Sequence, residues 1–170
     1  MGEEKRVRHF PPNMVNVLRT GQQNHIRLSQ MADQKANMLL AATFVVFTIT
    51  LGQVRQVAHP LPLLLLGAGA FFSAICAVLS VMPAIHFRTG GRLNLMFFGS
   101  FTRLSEAEYC DRVLDELEDE ETAFRMMARD IYQNGVVLER KKYRLLGYAY
   151  RLFLAGLVAS CIAFVTEYFF

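Results

Sequence analysis

Three short stretches of this sequence carry side chains that could hold a small anionic nucleotide. Asp33, Lys35 and Asn37 lie in QMADQKANMLLAATFVVFTIT (30–50). Asn94, Phe97 and Phe98, with Phe101 beside them, lie in GGRLNLMFFGSFT (90–102), an aromatic stretch closed by glycines. Asp130, Tyr132, Asn134, Lys142 and Tyr143 lie in DIYQNGVVLERKKY (130–143). Lysines supply charge for a phosphate, flat rings a surface for a base, and Asn or Asp groups partners for a base edge or ribose. Each group also has a plain structural account: a hydrated helix end, aromatic core or lipid contact, and a solvated helix face.

Catalysis is not written into the chain. His9, His25, His59 and His86 are scattered, and no H-E-x-x-H, G-x-S-x-G, P-loop or G-x-G-x-x-G pattern occurs. Nothing pairs a nucleophile with a base. Cys76, Cys110 and Cys161 show neither C-x-x-C nor Cys/His ligand spacing, so they read as free thiols. The expectation is therefore a non-enzyme without cofactor or metal, and a modest net charge of +3 gives no reason to expect a nucleic-acid partner.

The elements that must position these residues are membrane helices. The chain is 53% hydrophobic, and the excess gathers in three blocks, which predict spans over 36–54, 61–85 and 148–168. Leu61–Ile85 has no charge at all, which a soluble core helix of that length would not show. The first 35 residues are polar, so no cleaved signal peptide is expected. Lys and Arg crowd residues 1–35 and 86–144, whereas the 53–60 link has only Arg55. The positive-inside rule puts the N-terminus and the 86–147 insert in the cytoplasm and the C-terminus in the periplasm.

The reading is an all-α membrane protein of three transmembrane helices with a small helical cytoplasmic head. Residues 1–12 form a mobile tail, and residues 13–170 a single membrane domain with a stalk over 13–35. This stalk should continue without a break into the first span, and a helix from Thr122 should do the same into the third. Within the insert, Ser105 and Glu108 form a capping box flanked by Leu104 and Tyr109 at the staple positions. Six acids crowd Asp115–Glu121, read as a solvated face or turn. Small residues recur every fourth position at Gly69, Ser73 and Ala77 and at Ala155, Ala159 and Ala163. Such rows let helices approach closely in lipid, and three spans alone make a thin bundle, so a homo-oligomer is expected.

The series ADQKANMLL (32–40), NLMFFGSFTRLSEAEY (94–109) and DIYQNGVVLERKKYRLLGYAY (130–150) resembles the transmembrane effector of Pycsar antiphage systems over about residues 15–165. That resemblance implies an inner-membrane effector working downstream of a pyrimidine cyclase. Cyclic CMP or cyclic UMP would activate it, membrane integrity would fail and infection would abort. It also carries over Asp33, Lys35, Asn37, Asn94, Phe97, Phe98, Asp130, Tyr132, Asn134, Lys142 and Tyr143 as ligand-binding candidates. The alternative is a membrane scaffold that recruits a soluble partner through its acidic helix and binds no nucleotide.

Overall fold

The computed structural model describes residues 9–83 and 93–169. Most of the expected tail, the loop glycines Gly90 and Gly91, the end of the second expected span and Phe170 lie outside these residues. Among the described residues every regular element is helical: α1 (Met14–Gln53), α2 (Leu61–Val81), α3 (Phe98–Phe101), α4 (Glu106–Leu117), α5 (Glu120–Val137) and α6 (Arg144–Phe169). A π-helical stretch, Leu138–Tyr143, joins α5 to α6. Three helical runs are long and apolar enough to cross a bilayer: Met14–Gln53, Leu61–Val81 and Glu120–Phe169. The all-α, three-span reading holds.

α1 runs through residues 30–38 with no break. The second expected continuous helix also stays helical, but over Leu138–Tyr143 its hydrogen bonding widens to the π pattern. Such stretches are rare and gather at functional sites. The chain divides into two compact units, one drawn from Met1–Arg27 and Ala84–Val136, the other from Leu28–Pro83 and Val137–Phe170.

In the first unit the helix starts are chemically defined. Ser105 Oγ accepts from the Glu108 N–H at 3.3 Å, which forms half of the expected capping box. The Glu108 carboxylate turns instead to Arg112, one turn on, at 2.7 Å. Asp119 caps α5 by accepting from both the N–H and the hydroxyl of Thr122, at 3.0 and 2.8 Å. Glu120 and Glu121 then occupy its first turn, where the helix dipole favours negative charge. The last three acids of the run, Asp119–Glu121, are thus a helix-start signal. Phe124 is buried, with the Phe10 ring 4.9 Å from its own. The Phe101 and Tyr109 rings lie 4.8 Å apart.

In the second unit the spans pack on small residues. Ala32, Ala36, Leu39, Thr43 and Thr50 form the buried seam of α1, at close to heptad spacing. Leu39 meets Ala77 of α2 and Ala149 of α6 in one cluster; Ala32 and Ala36 meet Leu146 in another. α2 and α6 touch backbone to backbone: a Cβ placed on Gly69 would lie 2.6 Å from the Gly156 Cα. Ser73 Oγ, fully buried, donates to the Ala149 carbonyl at 2.7 Å. The small row of α2 is therefore occupied within the chain. On α6 its partner face runs through Ala149 and Gly156, whereas Ala155 is exposed and Ala163 buried. Large side chains such as Phe44, Leu154, Ile162 and Phe164 point outward, as lipid-facing residues do.

α2 ends for a local reason. Met82 precedes Pro83 and sits at φ −55°, ψ 135°, the extended conformation that a following proline favours. The Lys141 ammonium then donates to the carbonyls of Met82 and Pro83, at 2.8 and 3.2 Å, meeting the negative end of the helix.

Candidate functional site

The residues expected to bind a ligand fall into two sets. The first unit holds a polar array around Asp130, whose side chain is carried inward by α5 and is only 2% exposed. Asp130 Oδ2 accepts from Gln22 Nε2 at 3.2 Å and from Asn134 Nδ2 at 2.9 Å. Its Oδ1 accepts from Asn94 Nδ2 at 3.1 Å. The same Asn94 nitrogen donates to Gln133 Oε1 at 2.7 Å, and the Asn94 Oδ1 accepts from the Met96 N–H at 2.9 Å. Among the described residues no cation reaches the Asp130 carboxylate, so three amide groups alone compensate its burial. Beside the array, on the next turn of α1 after Gln22, the His25 ring lies against Gly135. Its Nδ1 is buried without a partner among the described residues.

The second set lies in the second unit, where the π-helical stretch faces α1. The Lys142 ammonium donates to both oxygens of Asp33, at 2.7 and 2.8 Å, and to Ser29 Oγ at 2.7 Å. The Tyr143 hydroxyl donates to the Leu28 carbonyl, and that of Tyr150 to the Lys35 carbonyl, each at 3.3 Å. Chemically this is a partly screened cation already saturated by a carboxylate and a hydroxyl. An incoming anion would have to displace Asp33 to reach it.

Asp33, Lys142 and Tyr143 thus come together, as do Asn94, Asp130 and Asn134. Lys35 and Asn37 are exposed on α1, and only the Lys35 backbone joins the second set. Tyr132 is 71% exposed and in neither set. The Phe97 ring lies over Gly99, where an added Cβ would come within 2.5 Å of it. The Phe98 side chain lies outside the described residues. Sequence reasoning passed over Gln22, Ser29 and Gln133. The signal was present: Gln22, His25, Ser29 and Asp33 follow one another at helical spacing along a single face of α1.

The clamp makes a measurable contribution. Lys142→Met leaves Asp33 without its cation and is expected to cost about 1–2 kcal/mol, the lower part of the range for charged hydrogen bonds because both side chains keep some contact with water. Thermal unfolding in detergent checks this. In the double variant Asp33→Leu, Lys142→Met much of the loss should return, because no unpaired charge remains.

A wider cavity of about 670 Å³ opens between α2 and α6, lined by apolar residues including Leu63, Leu66, Leu157 and Phe164. It holds none of the candidate ligand residues. A family model described as the Pycsar effector protein domain matches residues 16–167, which take in both polar sets and all but the outermost two residues of the first and third spans. No curated protein and no solved structure matches the chain. With that match over nearly its whole length, the chain belongs to the Pycsar effector family and is a membrane effector of antiphage defence.

Proposed function

We propose that this chain is an inner-membrane effector that a cyclic pyrimidine mononucleotide, cyclic CMP or cyclic UMP, switches from a sealed to a membrane-impairing state, aborting infection. The observation that carries the reading is the buried array of Asp130, Asn94, Gln133, Gln22 and Asn134. Burying a carboxylate among neutral amides, with no cation beside it among the described residues, is costly. Such an array is also the chemistry that reads the hydrogen-bonding edge of a base. A pyrimidine cyclase would supply the ligand, and assembly into a homo-oligomer would turn a thin three-span bundle into one able to breach the bilayer.

The ligand has only to favour one packing of the spans over another. A differential affinity of about 5.5 kcal/mol moves such an equilibrium from 1:99 to 99:1. Apart from Asn94, the residues of the array and of the Asp33–Lys142 clamp lie on two helical runs, α1 and Glu120–Phe169, so each run offers a covalent path from ligand to bilayer.

Dye release from liposomes containing the purified chain tests the proposal. Leakage should rise on adding cyclic CMP or cyclic UMP and stay at background with cyclic AMP. Sealed vesicles with both pyrimidine nucleotides, together with no heat of binding, would remove it.

A further inference from the structure

We propose that the outward face of α6 is a binding site for an anionic phospholipid, whose phosphodiester is held between Arg144 and Arg151 beside the Tyr148 hydroxyl. Arg144, Tyr148, Arg151, Ala155, Val158 and Ile162 recur at alternating steps of four and three residues, so they form one stripe along the helix. All of them are exposed. The buried residues of α6, Leu146, Ala149 and Ala163, are none of these. The site stands apart from the nucleotide reading, since no residue of the array or of the Asp33–Lys142 clamp takes part.

The two guanidiniums have no carboxylate to meet them. Within the second unit the described acids are Asp33, Glu139 and Glu167. Lys142 takes Asp33, and Glu139 leans on Arg140 at 3.8 Å. Glu167 lies about 24 Å beyond Arg151, at 1.5 Å of rise per residue. Arg151 is also deep: a span of about 20 residues ending at Glu167 begins at Tyr148, which puts the Arg151 backbone inside the apolar layer. An unpaired cation at that depth marks a functional position. Helix side chains lean towards the N-terminus, so Arg151 and Tyr148 reach back to the headgroups.

Arg144 and Arg151 stand two turns apart, about 10 Å along the axis, with the Tyr148 phenol between them. Each guanidinium offers paired N–H donors that match phosphate oxygens. Beyond Arg151 the stripe turns apolar, and Ala155 leaves a shallow dip before Val158 and Ile162 along which an acyl chain can lie. Cations joined to an apolar lane fit a lipid, whereas a soluble phosphate cannot follow Arg151 into hydrocarbon. An ethanolamine headgroup would bring its own ammonium against the two guanidiniums. A glycerol headgroup brings none, so the charge balance selects an anionic lipid.

Native mass spectrometry of the detergent-purified full chain, titrated with phosphatidylglycerol or phosphatidylethanolamine of identical acyl chains, tests the site. The unaltered chain should hold phosphatidylglycerol about tenfold more tightly than phosphatidylethanolamine. Glycerol 3-phosphate, which has the phosphate without the acyl chains, should neither bind nor displace the lipid. The double variant Arg144→Gln, Arg151→Gln should lose the preference, whereas Arg55→Gln, in the turn after α1, should keep it. Equal binding of the two lipids, displacement by glycerol 3-phosphate, or an undiminished preference in the double variant would each overturn the proposal. So would an equal loss in Arg55→Gln, which would make the effect one of net charge alone. Should the double variant not fold, the three probes on the unaltered chain decide.

Discussion

Gly156→Leu is expected to pull α2 and α6 apart and to cost about 3 kcal/mol or more, the upper range for forcing volume into a packed interface. The cause is reciprocal. A Cβ on Gly156 would sit 2.7 Å from the Gly69 Cα, and one on Gly69 2.6 Å from the Gly156 Cα. Both obstacles are backbone, so no side chain can swing aside. Even alanine at either position forces the helices to shift, and the bond from Ser73 to the Ala149 carbonyl must lengthen with them. In lipid such close approach is itself the source of helix affinity. Thermal unfolding in detergent measures the loss, with Gly147→Ala as the control. Nothing lies within 4 Å of a Cβ added at Gly147, and alanine favours the helix, so that variant should unfold no earlier than the unaltered chain.

Asp130→Leu is expected to be comparably damaging, at about 3 kcal/mol or more, because the Gln22 and Asn134 amides lose their acceptor and Asn94 loses one of its two, all in a buried place. Asp130→Asn should be far milder. The Gln22 and Asn134 amides can flip to accept from the new NH₂ group, leaving the new carbonyl for Asn94. Asn94 cannot flip, since its oxygen is held by the Met96 N–H. Unfolding curves for both variants test this. Equal losses would mean that the carboxylate is not satisfied by the amides described.

How far the sequence could be read depended on whether a residue's role is set locally. Leu61–Val81 needed only its unbroken apolar run to be recognised, and Ser105 only its spacing from Glu108. The family was legible because its three motifs keep their order along the chain. What could not be read was the phase of one helix against another. Ala155, Ala159 and Ala163 share a spacing with Gly69, Ser73 and Ala77, yet α6 meets α2 one residue away, at Gly156, where two hydrogens in place of side chains permit contact.

The site was harder for a related reason. Residues of one motif part company: Tyr132 points outward while Asp130 points inward, and Lys142 belongs to a different unit from both. The π-helical stretch breaks the periodicity on which such an assignment rests. Gln22 and Gln133 carry no charge or aromatic ring to single them out. They matter only because Asp130 and Asn94 are brought to them.

The hydroxyls inside the spans have one more consequence. Thr43 and Thr50 on α1 each donate to a carbonyl of their own helix, three residues back. They are thus quenched at home and grip no neighbour. Within the second unit, and among the described residues, polar anchors tie α1 to its neighbours only between Leu28 and Lys35, through Tyr143, Lys142 and Tyr150. From Ala36 to Gln53, among the described residues, it rests on a seam of alanine, leucine and threonine without a single cross-link. α2 and α6, by contrast, are riveted at Ser73 and at the paired glycines. Of the three spans, α1 is therefore the tiller: pivoted at one end, greased along its length, and the one whose swing costs least.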